Sequence, residues 1–141
     1  MLRLLTPQDY HKGYLDLLSH LSPMLEMSAE DFTNIEYKRM SMNIHTWVIE
    51  QDDKIVSSAC MLIEPKFSRG GKNVAHIEDV VTLPNYRGRG YSGLIINKLI
   101  KLAKEQNCYK IILDCKEELI GFYNKFGFEK KEHQLVLYYG S

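Results

Sequence analysis

Three groups of residues in this 141-residue chain are of types and spacings that could do chemistry. The first is Arg87-Gly88-Arg89-Gly90-Tyr91-Ser92-Gly93, set between the apolar run His76–Leu83 and an amphipathic run that begins Leu94-Ile95-Ile96. A glycine-bearing turn between a strand and a helix exposes several backbone N–H groups in a row, and glycine lets a ligand come close because no Cβ stands in the way. The helix dipole adds positive potential at the same point. Together these make an anion site suited to phosphate. The second group is the carboxylates Glu78, Asp79 and Asp114, placed in otherwise apolar strand-like runs. A buried acid is costly unless paired. Its partner is either internal (His76, Arg87 or Lys110) or a ligand carrying an ammonium and hydroxyls. The third is Lys66, Arg69 and Lys72 in the polar segment Pro65–Asn73, which is either a solvated hairpin loop or a basic clamp for an anionic substrate.

Other chemistries find little support. The loop lacks the Gly-Lys-Ser/Thr ending of a Walker motif. It fits Gly-x-Gly-x-x-Gly formally, but it lies mid-chain with too little sequence around it for a dinucleotide domain. Five histidines and three cysteines show no metal-ligand spacing, so no metal is expected. A formal net charge of zero gives no electrostatic case for nucleic acid or an anionic membrane. No apolar run approaches the roughly 20 residues that span a bilayer, and Met1–Leu5 lacks the apolar core of a signal peptide. Cys108 and Cys115 are expected to share one strand, roughly 23 Å apart along it and far beyond disulfide reach. Reduced thiols and a cytoplasmic protein follow as expectations.

The elements that must position these groups are legible from periodicity and punctuation. Leu2–Leu5 reads as a short strand, and Thr6-Pro7 starts a helix whose buried face is Tyr10, Tyr14, Leu17, Leu18 and Leu21. Ser28 caps a second helix with Phe32, Ile35 and Met40 facing inward. Thr46–Glu50 and Lys54–Glu64 form a hairpin about Gln51-Asp52-Asp53. After the loop, Leu94, Ile95, Leu99, Leu102 and Ala103 carry the core face of a third helix. Tyr109–Cys115 is a strand covered on both faces, Glu117–Phe126 a short helix, and Gln134–Tyr139 a last strand. This order predicts one domain with a mixed sheet and helices on its faces. An apolar last strand at a sheet edge needs cover, so a symmetric homodimer is expected.

The pattern Arg87-x-x-Gly90-x-Ser92 resembles the pyrophosphate loop of the GNAT superfamily of N-acetyltransferases, where it holds coenzyme A. The family usually has Gly or Ala at the position of Ser92. His76-Ile77-Glu78-Asp79, Cys108–Cys115 (CYKIILDC) and Gly121–Phe128 (GFYNKFGF) narrow the resemblance to the glucosamine-6-phosphate N-acetyltransferases, over nearly the whole chain.

That resemblance implies an α/β acyltransferase fold, a central twisted mixed sheet with helices on both faces, forming a single domain over residues 1–141. Two neighbouring strands splay apart, and acetyl-CoA lies in the opening. Backbone N–H groups around Val80, Val81 and Thr82 orient the thioester, and Arg87, Gly88, Arg89, Gly90, Tyr91, Ser92 and Gly93 hold the pyrophosphate. Tyr123, Asn124 and Lys125 complete the acetyl-CoA site. Tyr123 is the general acid for the leaving thiolate, since a phenol near pKa 10 and a thiol near 8.5 match closely enough for useful proton transfer. Phe122 and Phe126 supply the packing face of that segment and leave Tyr123 free. Asp114 orients or deprotonates the amine, and Ser22, Lys66, Arg69, Glu78, Asp79, Val80, Tyr109, Lys110, Asp114 and Cys115 hold an amino-sugar phosphate. Pro65, Leu119 and Tyr138 depart from the family pattern, which leaves a GNAT enzyme for another small amine or a peptide N-terminus as the alternative.

Overall fold

A computed structural model describes residues 1–140, and five strands carry its architecture. These are β1 (Leu2–Leu4), β2 (Ile44–Gln51), β3 (Lys54–Pro65), β4 (Asn73–Thr82) and β5 (Cys108–Ile112), arranged in the order β1-β2-β3-β4-β5. The first three pairings are antiparallel and the last is parallel. The hairpin between β2 and β3 turns on Asp52 and Asp53, both in the left-handed region at φ 54° and 61°, where Asp is tolerated better than most residues. Helices cover both faces. On one side lie α1 (Tyr14–Leu18) and α2 (Ala29–Ser41), which bury Tyr14, Leu17 and Phe32 against Val48, Ile55 and Val81. On the other lie α4 (Tyr91–Glu105) and α5 (Ile120–Asn124), which bury Ile95, Ile96, Leu99 and Tyr123 against Val56, Met61, Ala75 and Ile77. A single turn, α3 (Ser68–Gly71), sits in the β3–β4 connection.

Several helical expectations shift in detail. The first helix is broken in two: Pro7–Lys12 forms a 3-10 helix, and Gly13 at φ 82° starts α1 in a new direction. Helix α1 ends at Leu18, so Leu21 lies beyond it and is exposed. In α2 the Ser28 cap is present, its hydroxyl accepting from Asp31 N–H at 3.0 Å. The face differs, however: Glu36 is buried and Ile35 and Met40 are exposed. Arg39 offsets part of that cost, with its Nε 3.8 Å from Glu36. In α4 Leu94 is exposed and Ile96 takes its place in the core.

The C-terminal third departs further. Strand β5 stops at Ile112, so Cys108 and Cys115 do not share a strand. Ile112 is exposed and Tyr109 and Ile111 only half-buried, because β5 is an edge with a neighbour on one side alone. Residues 117–126 divide into a 3-10 turn (Glu117–Leu119) and α5. Gln134–Tyr139 forms no strand in the single chain, and Leu135 and Tyr139 are 93% and 91% exposed.

Candidate active site

Two irregularities in β4 create the site. Ser58 pairs with Val81 but Cys60 pairs with Glu78, so β4 carries one residue more than β3 over that stretch. This is a β-bulge, with Asp79 at φ 54°. Bulges bend a strand and re-aim its side chains. On the other side, the β4–β5 ladder ends at His76–Ile112 while β4 continues to Thr82. Beyond His76 the two strands part, and Ile77–Thr82 faces the gap without a ladder partner on that side. Backbone groups facing the gap must find partners other than a β5 ladder, and Val80, Val81 and Thr82 lie along this stretch.

The glycine loop closes one end of this gap. Gly90 at φ 80° starts α4, and the first helical bond is Leu94 N–H to Gly90 carbonyl at 3.1 Å. The N–H groups of Tyr91, Ser92 and Gly93 are therefore free of intrahelical partners, at the positive end of a 15-residue helix. Gly88 and Gly90 are required by their positive φ rather than by crowding, since a Cβ on either would meet nothing within 4 Å. Gly93 serves packing instead: a Cβ there would lie 3.3 Å from Phe126 Cζ. Arg87 Nε donates to the Thr82 carbonyl at 3.1 Å. Arg89 stacks over Tyr86 at 4.7 Å, and Tyr86 in turn stacks on Tyr91 and donates to Asp52 at 2.8 Å. The loop is thus fixed before any ligand arrives.

Glu78, Asp79 and Asp114 are brought together, but as exposed groups rather than buried ones. Asp114 lies past the end of β5, where Gln134 Nε2 donates to its Oδ2 at 2.9 Å. Partial burial, then the neighbouring charges of Asp79 and Asp114, push the Glu78 carboxyl above its usual range, with His76 opposing. Among the described residues none of the three forms an ion pair with His76, Arg87 or Lys110. His76 bonds Glu64 instead, at 2.8 Å. Three like charges without a cation favour an incoming ammonium.

The cations gather at the far end of the β4–β5 pair. The Arg69 guanidinium sits 4.7 Å from the Tyr109 ring, and Lys110 Nζ lies 5.7 Å from it. Lys66 is engaged elsewhere, 3.2 Å from Glu64. Cys115 is exposed, and burial of its sulfur followed by the Asp114 charge raises its thiol pKa. Ser22 is exposed in the α1–α2 connection, where nothing links it to the other groups.

Tyr123 overturns one expectation. It is the buried residue of α5, 6% exposed, while Phe122 and Phe126 are half-buried around it. Its ring packs edge-on against Phe122 and Phe128 at 5.0 and 6.0 Å. Its hydroxyl is not among the fully enclosed unpartnered atoms. Burial, with a smaller contribution from Cys115, pushes the phenol up to about 12. Transfer of its proton to a free thiolate near 8.5 is then uphill by roughly 5 kcal/mol. A phenol held that high would offer a sulfur beside it a hydrogen bond more readily than a proton. Asn124 and Lys125 follow it as exposed residues at the end of α5.

Two features escaped the sequence reading. One is the Glu64–His76 pair. The other is Ser57, fully buried in β3 and 2.7 Å from Thr82 Oγ1. Its signal was present: Ser57-Ser58 interrupts the apolar run of β3, and consecutive hydroxyls in a core strand need partners.

Splayed parallel strands, a bulge beside them and an anion-binding helix start define an acyltransferase of the GNAT type. Residues 12–128 match the Acetyltransferase (GNAT) family, and the chain belongs to it. Among its relatives is a glucosamine 6-phosphate N-acetyltransferase of Trypanosoma brucei brucei, 41% identical over 96% of this chain and 93% of that protein. A probable glucosamine 6-phosphate N-acetyltransferase 2 of Oryza sativa subsp. japonica is 36% identical over 98% and 87%. The crystal structure of glucosamine-6-phosphate N-acetyltransferase from Arabidopsis thaliana superposes with a TM-score of 0.96 at 32% identity, covering 99% of this chain and 98% of that one.

Proposed function

We propose that this protein transfers the acetyl group of acetyl-CoA to the amine of D-glucosamine 6-phosphate, giving N-acetylglucosamine 6-phosphate and CoA for UDP-N-acetylglucosamine synthesis. The observation that carries the substrate reading is the uncompensated acidic group Glu78, Asp79 and Asp114 at the strand gap, with Arg69 and Lys110 grouped about Tyr109. An ammonium is drawn to the first and a phosphate to the second. The names of the relatives agree with this assignment.

Acetyl-CoA supplies an acyl group activated as a thioester. The residues that would hold it suit its shape and charge: three free N–H groups at the start of α4 for the pyrophosphate, and for the acyl end the stretch of β4 at Val80–Thr82 that has no ladder to β5. A fixed N–H donor at a developing oxyanion contributes on the order of 2.7–4 kcal/mol. Glu78, Asp79 and Asp114 hold and orient the amine, and Asp114 accepts its proton. Tyr123 stabilises the departing sulfur.

Thiol release with acetyl-CoA, comparing glucosamine 6-phosphate with glucosamine, tests this. A strong preference for the phosphorylated sugar is expected. Turnover of neither, with turnover of another amine, would move the enzyme to a different GNAT substrate. Arg69→Ala should raise KM for the sugar phosphate about tenfold, the weight of one charge-assisted contact, and leave KM for acetyl-CoA within twofold. Equal effects on both would remove the clamp. We further propose a homodimer that covers the exposed tail, and a reducing cytoplasmic setting in keeping with the free thiols of Cys60, Cys108 and Cys115.

A further inference from the structure

The start of α4 has no side-chain cap, and positive-φ glycines at 88 and 90 precede it. Glycine gives the chain wide conformational freedom, so something else must fix the free N–H groups of Tyr91, Ser92 and Gly93 relative to β4. A line of three hydroxyls does this. Ser57 Oγ and Thr82 Oγ1 lie 2.7 Å apart, Thr82 Oγ1 and Ser92 Oγ 2.8 Å apart, and Ser57 also reaches the Val81 carbonyl at 3.2 Å. The line crosses from β3 through β4 to the first turn of α4, beginning at a fully buried residue. Arg87 meets the same strand residue through the Thr82 carbonyl. Thr82 is thus the point at which both sides of the loop are tied down.

We infer that Ser57, acting through Thr82 and Ser92, is a positioning residue that holds the anion-binding turn of α4 in register with the strand serving the acyl end. The inference rests on the acetyl-CoA reading above. Its physical basis is twofold. First, loss of Thr82 takes from Ser92 its hydroxyl partner, and loss of either end leaves Thr82 with one hydroxyl neighbour instead of two. Second, the three O–H bonds can run inward, ending on the Val81 carbonyl, or outward from Ser57 to Thr82 to Ser92. The outward order points the positive ends of three dipoles towards the start of α4. A bound anion selects it, and aligned hydrogen bonds reinforce one another. Ser57 lies outside the loop and reaches it only through Val81 and Thr82 of β4, yet it sets how tightly the site grips.

The test is calorimetric binding of CoA to the full chain, with melting curves as a check on folding. Ser57→Ala and Ser92→Ala should each raise the Kd for CoA about fivefold, and the double variant no more than either alone, since both break one line. Ser57 and Ser92 are joined only through Thr82, so non-additivity is a readout that general loosening would not produce. Thr82→Val should match the double variant, and Thr82→Ser, which keeps the hydroxyl, should bind within twofold of wild type. Effects that multiply to about 25-fold in the double variant, or unchanged affinity in all, would overturn the inference. If Ser57→Ala does not fold, the Thr82→Val and Thr82→Ser pair decides: equal affinities overturn it. Failure of the wild-type chain to bind CoA would overturn the acetyl-CoA reading itself, a result distinct from normal binding that the variants leave untouched.

Discussion

Tyr123 joins two roles that a single side chain rarely combines. Its ring is core, packed edge-on against Phe122 and Phe128, while among the described residues its hydroxyl has no hydrogen-bond partner. Tyr123→Phe therefore keeps the packing and removes only the hydroxyl proposed to donate to sulfur. Melting temperature should stay within a degree or two, and kcat for thiol release should fall about 10²-fold, the lower end for proton-transfer groups. Unchanged kcat would take Tyr123 out of the mechanism. Its titration also bears on stability. The unfolded phenol loses its proton near 10, but burial holds the folded one up to about 12. Between those values the unfolded chain binds fewer protons, so stability is intact below pH 10 and is lost as pH rises towards 12. Denaturant melts of wild type and Tyr123→Phe at pH 9 and pH 11 should diverge, with only the wild type losing the phenol-linked part.

Elements position these residues through a few backbone positions whose conformation is fixed. Gly90 must adopt φ 80° for α4 to start where it does, and a Cβ in the left-handed region costs about 1–2 kcal/mol. Gly90→Ala should raise KM for acetyl-CoA several-fold by displacing the first turn, while KM for the amine stays put, as steady-state kinetics can show. Strand β1 depends on charge in a comparable way. Arg3 bonds Asp9 and Glu50 at 2.8 and 2.7 Å, and Lys12 bonds Glu50 at 2.7 Å, tying β1 and the 3-10 helix to the end of β2. Hydrogen bonds from Arg3 and then Lys12 hold the Glu50 carboxyl down to about 2 from 4.5. The stability this gives is present above pH 4.5 and lost as pH falls towards 2, a loss that Glu50→Gln should lack in acid melts. Such features also mark what the sequence could convey. The loop, its flanking strand and helix, and the β2–β3 hairpin were legible because Gly, Pro and Asp at turns and apolar periodicity act locally. The bulge at Asp79 and the end of the β4–β5 ladder were not, because each depends on how one strand meets another. The inward face of α2 was misread for the same reason: Glu36 is buried beside Arg39, a tertiary arrangement that no periodicity encodes.

The sheet has an open edge at β5. Strand β5 has β4 on one side only, and residues 129–140 run without regular structure while exposing Leu135, Val136, Leu137, Tyr138 and Tyr139. Burying a Leu or Val side chain contributes about 1.5–3 kcal/mol, so two copies of this segment can offset an association cost of about 4–15 kcal/mol. The tail also meets the site, because Gln134 donates to Asp114 at its base. A partner that orders the tail would thereby fix Asp114, the acid proposed to receive the amine. Light scattering should give twice the 16.4 kDa chain mass for the wild type. Leu137→Asp places a charge in the segment proposed to be covered and should shift the mass to that of one chain. The same variant should raise KM for glucosamine 6-phosphate several-fold and leave CoA affinity unchanged, since the start of α4 is remote from the tail in sequence and tied down through Thr82. A dimer that persists in Leu137→Asp would place the subunit contact elsewhere. A monomeric variant with unaltered KM would separate assembly from catalysis, leaving Asp114 oriented by its own chain alone.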